Sequence, residues 1–167
     1  DASRADPIFL AEFVAAAAEA GAFRVRIADT VGCWNPLQVF QVIEALHRQN
    51  PGVMLEFHGH NDLGMATANT LAAYQAGAEA LSVTVNGLGE RIGNAPLEEV
   101  LMGIRVSLGR ELPFQLDKLD KLCHLVARAS KRRIPATKPI TGQAAFKHES
   151  GIHCHALLRD RRTYEPY

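Results

Sequence analysis

A chain of 167 residues that is 47% hydrophobic carries enough apolar material for one ordinary domain with a sizeable core. Its 18 Lys and Arg balance 18 Asp and Glu, which excludes the net field that draws proteins to nucleic acid or an anionic membrane. No apolar run has the length of a membrane span and no signal peptide opens the chain, while three scattered cysteines (Cys33, Cys123, Cys154) argue against a disulfide framework and for a reducing, cytoplasmic setting.

The chain starts at Asp1 without an initiator Met and runs out at Tyr167 without a helix stop, so it reads as a piece of a longer protein. Helix-start signals then recur. Asp6-Pro7, Asn35-Pro36 and Asn94-Ala95-Pro96 each pair a capping side chain with a proline near the first turn, where its missing N–H costs nothing. Asp62-Leu63-Gly64 fills the gap, and the spacing of about 30 residues is that of one βα unit. Ahead of the later signals, Arg24 to Ala28, Val53 to His58 and Ala80 to Val85 are short, apolar or β-branched, and follow Gly21, Gly52 and Gly77. Apolar residues at helical spacing follow each signal, as in Leu37, Phe40, Ile43 and Leu46. Strand, loop and helix in repetition predict a parallel α/β architecture of about four βα units.

Alternate positions of the strands are polar: Arg26, Ala28 and Thr30; Glu56, His58 and His60; Ser82, Thr84 and Asn86. An open doubly wound sheet is buried on both faces and is apolar on both. A barrel with a ligand at its mouth tolerates polar residues inside, near the C-terminal strand ends. The pattern therefore favours the C-terminal half of a (β/α)8 TIM barrel over residues 1–112. Residues 113–167 read as a terminal helix with Leu116, Leu119, Leu122, Val126 and Ala129 on one face, then an irregular accessory segment from Ile134 onward. The basic runs at Lys131 to Arg133 and Arg159 to Arg162 are short and read as solvated surface.

Three motifs carry chemistry. In Glu56-Phe57-His58-Gly59-His60-Asn61-Asp62, residues two apart on a strand point the same way, so His58 and His60 aim two imidazoles at one point, as a metal site requires. Glu56 lies below them, placed to orient a ligand or accept a proton. The competing reading is a pair of surface histidines at a loop edge. Asn86-Gly87-Leu88-Gly89-Glu90-Arg91-Ile92-Gly93-Asn94 forms a tight glycine-rich loop around an ionic Glu90/Arg91 pair, with Asn94 capping the next helix. Its glycine spacing is wrong for a dinucleotide fingerprint. His148-Glu149-Ser150-Gly151-Ile152-His153-Cys154-His155 offers either a catalytic histidine delivered from outside the barrel or a separate zinc site.

The sequences Asp1 to Asp6, Ala28-Asp29-Thr30-Val31-Gly32, His58 to Gly64 with Ala66 to Thr70, Thr84 to Ala95 and His148 to His153 closely resemble the homocitrate synthases of the nitrogen-fixation type. That group sits in a wider family with 2-isopropylmalate synthase, citramalate synthase and HMG-CoA lyase. The resemblance implies a cytoplasmic, homodimeric acyltransferase of amino-acid biosynthesis that condenses acetyl-CoA with 2-oxoglutarate and uses a divalent metal (Mg, Mn or Zn). It implies metal ligation by His58 and His60 with Asn94 in or beside the shell, substrate binding by Thr30 and Arg91, and catalytic roles for His153, supplied across the dimer, and Glu56. Cys154-His155-Ala156 departs from the Val-Asp-Gly of the family, and the family's first strand, with its Asp ligand and carboxylate-binding Arg, is not in the chain, so the fragment alone is expected to be inactive. A 2-isopropylmalate or citramalate synthase, an aldolase or lyase on the same scaffold, and a non-catalytic metal-binding or dimerisation module are the alternatives.

Overall fold

The computed structural model describes residues 1–165. Two compact units divide the chain, Asp1–Val100 and Leu101–Tyr167, whose last two residues lie outside the described part, as does that end of the expected accessory segment.

The first unit opens with a 3-10 turn (Ala2–Arg4) and helix α1 (Pro7–Glu19), followed by β1 (Arg24–Asp29), α2 (Pro36–Gln49), β2 (Met54–Gly59), α3 (Ala66–Gln75) and β3 (Ala80–Ser82). The three strands are parallel in the order β1-β2-β3, with Arg26 opposite Glu56 and Ala28 opposite His58. Two of the expected caps are in place. Asp6 Oδ1 accepts the N–H groups of Ile8 (2.9 Å) and Phe9 (3.0 Å), and Asn35 forms a reciprocal capping box with Gln38. The third start differs: α3 begins at Ala66, whose N–H goes to Asn61 Oδ1 at 3.1 Å, which leaves Asp62 for another partner.

Alternation along the strands sorts the two faces. Val25, Ile27, Leu55 and Phe57 are buried and pack with Val14, Val39 and Ile43 of the helices. Each such side chain contributes about 1.5–3 kcal/mol on burial. Arg24, Arg26, Glu56 and His58 occupy the other face, as the polar alternation predicts. β3 is shorter than expected. It stops at Ser82 and the chain turns through Val85–Gly87, because Asn86 adopts φ +60, which extended pairing cannot accommodate. Thr84 keeps only an isolated bridge to Pro96, so Ser82, Thr84 and Asn86 do not share one continuous strand face. The segment 94–96, expected to open a helix, is instead held by isolated bridges at His60–Asn94 and Thr84–Pro96. Helix α4 (Leu97–Met102) follows.

In the second unit a π-helical turn (Gly103–Ser107) and a 3-10 turn (Leu116–Lys118) precede α5 (Leu119–Ser130). The stripe expected there is only partly right. Leu119 and Cys123 are buried and Ala129 is exposed, so the small thiol four residues after Leu119 carries the packing. The segment expected to be irregular contains a helix, α6 (Gly151–Arg159), which carries Ile152, His153, Cys154 and His155. None of the three cysteines forms a disulfide. Among the described residues no helix is long and apolar enough to cross a membrane.

Candidate active site

The C-terminal ends of β1 and β2 set the first group of side chains. Glu56 is 3% exposed and sits between two arginines of the neighbouring strand: Arg26 Nε lies 2.7 Å from Oε1 and Arg24 Nε 3.0 Å from Oε2. These partners follow from the register, which places Arg26 directly opposite, and they satisfy a carboxylate that burial would otherwise leave unpaired. One pleat further on, His58 Nδ1 is 3.0 Å from Ser82 Oγ. His60 Nδ1 lies 3.2 Å from the Asp29 carbonyl. A carbonyl only accepts, so that contact puts a proton on His60 Nδ1, and in the neutral ring Nε2 then keeps its lone pair. The two rings stand 4.7 Å apart and nearly perpendicular. Burial, then the charges of His60 and Arg26, pushes the His58 pKa below the usual histidine value against the pull of Glu56 and Ser82. The ring is neutral at pH 7, the state in which imidazole binds a metal.

The glycine-rich loop closes over these strand ends. Asn61 N–H donates to Gly93 O at 2.9 Å, Ala95 N–H to Gly59 O at 3.3 Å and Asn94 N–H to Gly87 O at 3.1 Å. Gly93 has φ +109, and a Cβ there would stand 2.1 Å from Gly87 O, so no other residue fits. Asn94 does not cap α4. Its Nδ2 donates to Leu88 O at 3.3 Å, and its Oδ1 is buried without a partner, because the 94–96 backbone is drawn into bridges with the end of β2. Arg91 is likewise turned away from the expected Glu90 pairing. At φ +53 its guanidinium forks onto Asp62 (2.7 and 2.8 Å) and donates a third bond to Thr30 O at 2.7 Å. This pair holds the Asp62 carboxyl below and the Arg91 guanidinium above their ordinary values. Thr30 is exposed, and its N–H donates to Asp1 Oδ1 at 3.2 Å. Arg91 thus ties together the three loops that follow β1, β2 and β3.

The structure brings Thr30, Glu56, His58, His60, Arg91 and Asn94 to one end of the first unit's sheet. His153 lies in the second unit. There its ring stacks 4.4 Å from Tyr164 and 5.6 Å from His148, and Cys154 Sγ leans on His148 O at 3.6 Å. Sequence reasoning missed Tyr164 and the role of His148 as neighbours of His153, since nothing in local spacing links residues on either side of a nine-residue helix. It also missed Asp29, fully buried, whose two oxygens accept the N–H groups of Cys33 and Trp34 at 3.1 Å and fix the loop that carries Thr30. An acidic residue ending a strand just before a Gly-containing loop was the available signal.

Residues 1–126 match the HMGL-like family, and residues 140–167 match the homocitrate synthase post-HMGL domain-like family. The chain belongs to the HMGL-like family. It is 48% identical to a homocitrate synthase of Frankia alni over 100% of this chain and 47% of that protein. It is 45% identical to 2-isopropylmalate synthase 2 of Caldanaerobacter subterraneus, over 100% of this chain and 43% of that one. The chain therefore spans a little under half the length of these relatives. Among solved structures, the HMG-CoA lyase of Bacillus subtilis superposes with a TM-score of 0.69 at 26% identity, over 78% of this chain and 46% of the lyase. The HMGL-like fold is α/β with a parallel sheet, and the βα units seen here are part of its barrel.

Within the HMGL-like unit the donor set can be tested for a metal. Two imidazoles, one with its Nδ1–H held by a carbonyl, and a buried amide oxygen without a hydrogen-bond partner are donor types that a divalent metal such as Zn or Mn accepts. A buried unpartnered acceptor costs about 1–3 kcal/mol unless something positive meets it. Among the described residues no group of three or more His, Cys, Asp or Glu side chains is gathered as a metal site, so these two histidines would need further ligands. The same observation gives no support to a separate zinc site in the 148–155 segment.

Proposed function

We propose that this chain is part of an enzyme that condenses acetyl-CoA with a 2-oxo acid, with 2-oxoglutarate the preferred acceptor and homocitrate and CoA the products. The observation that carries the reading is the partnerless Asn94 Oδ1 next to the His60 bridge, at the strand ends that present His58 and His60. The homocitrate, 2-isopropylmalate and citramalate synthases among the relatives support the reaction class, and the choice of 2-oxoglutarate rests on the motifs shared with homocitrate synthases.

In this reading His58 and His60, with Asn94, would hold a divalent cation, which when bound would supply Lewis-acid polarisation of the oxo acid's ketone. Thr30 binds a substrate carboxylate through its hydroxyl. Arg91, whose fork is engaged with Asp62, supports that contact by fixing the Thr30 backbone. Glu56, with a guanidinium on each oxygen, lines the site as an anion and orients the groups above it. The acetyl methyl group must lose a proton as its carbon attacks the ketone carbon; the ketone oxygen gains one, and water then cleaves the thioester to release CoA. His153 is the residue proposed to handle the proton, delivered to a neighbouring subunit's site in a homodimer, with residues 113–167 as the accessory segment and 1–112 as barrel.

Thiol release from acetyl-CoA by the complete enzyme, with 2-oxoglutarate, 2-oxoisovalerate and pyruvate compared, tests the proposal. The expected ranking puts 2-oxoglutarate first. Preference for 2-oxoisovalerate would establish the 2-isopropylmalate alternative, and thiol release with none of the three would reject the reaction class.

A further inference from the structure

The second unit contains a groove lined by none of the residues named for the proposed reaction. It holds about 390 Å³, within the range of small-molecule sites, and lies between the C-terminal half of α5 and the turn that follows. Arg128, Lys131, Arg132 and Arg133 line it together with His124. His124 reaches Asp120 at 3.5 Å, whereas among the described residues none of the four stronger cations has a carboxylate in ion-pair reach. Cations at the end of a helix offset its carbonyl dipole, which accounts for one or two of these charges.

Thr141 is what the dipole does not explain. It lines the same groove, is 6% exposed, and its hydroxyl is buried without a hydrogen-bond partner. Its backbone is firmly held. Thr141 N–H donates to Pro139 O at 2.8 Å, Gly142 N–H to Lys138 O at 3.0 Å and Ala144 N–H to Ala136 O at 2.9 Å, and Ile140 is pinned at φ +68. A Cβ on Gly142 would come within 2.4 Å of Lys138 O, so the turn can close this tightly only on glycine.

A preset hydroxyl donor beneath four uncompensated cations fits an acceptor-rich polyanion. A single carboxylate is too weakly charged, whereas a phosphate offers two charges and three free oxygens. We infer that this groove binds the phosphate-bearing end of a small molecule. Two sources share that chemistry: a free phosphorylated metabolite, and the phosphoadenosine end of a CoA thioester. The second rests on the condensation proposed above.

Calorimetric titration of the full chain at fixed ionic strength, with inorganic pyrophosphate and with 3′,5′-ADP, tests the inference. Binding of at least one probe is expected, weakened about 10-fold or more by R132A/R133A and several-fold by Thr141→Val. Thr141→Ser keeps the hydroxyl and should bind as the parent does, which guards against a folding defect in the valine variant. Tighter binding of 3′,5′-ADP than of pyrophosphate assigns the groove to CoA, and the reverse order to a free phosphate. No binding of either probe at millimolar concentration, or equal binding by parent, R132A/R133A and Thr141→Val, overturns the inference. Loss of the condensation reading is registered separately by thiol release, so the two can fail independently.

Discussion

Truncating Asn94 to alanine separates a ligand from a helix cap. The buried Oδ1 without a partner costs the fold about 1–3 kcal/mol. The Nδ2 bond to Leu88 O is long at 3.3 Å and returns at most about 1 kcal/mol. Asn94→Ala removes both and leaves a small void, whose cost offsets much of the relief, so metal-free stability should move by less than about 1 kcal/mol. An N-cap would instead lose about 0.5–2 kcal/mol and have no bearing on metal. Urea unfolding without metal gives the first quantity. Titration with Mn²⁺ or Zn²⁺ gives the second, where affinity should fall roughly 10-fold or more. A stability loss above about 2 kcal/mol with unchanged metal affinity would refute the reasoning, because the side chain would then be structural.

Other expectations follow from neighbouring residues. Because the folded pKa of His58 is lowered, the unfolded chain binds more protons between that value and 6.5, so stability should rise with pH across this window and fall on acidification; urea midpoints at pH 7.5 and 5.5 should differ less in His58→Gln. Arg91→Lys cannot rebuild a fork with a third bond to Thr30 O, so hydrogen exchange at 30–32 and 62–64 should quicken while the melting temperature barely moves; unchanged exchange would show that the latch is unimportant. Gly93→Ala should destabilise by about 2 kcal/mol or more beyond Gly21→Ala, since both have positive φ but only Gly93 meets a backbone oxygen, and thermal melts of the two variants decide it.

The parallel α/β order was legible because period-two alternation and proline-capped starts are local signals: Val25, Ile27, Leu55 and Phe57 are buried where the pattern places them, beneath helices opened by Asp6 and Asn35. The end of β3 was not, since the left-handed turn at Asn86 depends on Glu98, a dozen residues away, accepting its N–H. The candidate site was legible as residue types and less so as partnerships. His58 and His60 followed from strand geometry, but the arginine cage of Glu56 required the register between β1 and β2. Arg91 looked paired with its sequence neighbour Glu90, and the fold gave it Asp62, 29 residues back. The helix at 151–159 was hidden because two histidines and a glycine interrupt any apolar period.

We propose that His58 and His60 hold a metal for a condensation in which His153 handles the proton. Bound metal and thiol release measured together on the complete enzyme, for His58→Ala and for His153→Ala, test it most directly. His58→Ala should lose both metal and turnover, while His153→Ala should keep the metal and lose turnover by about 100-fold or more. Full metal retention with normal turnover in His58→Ala would contradict it.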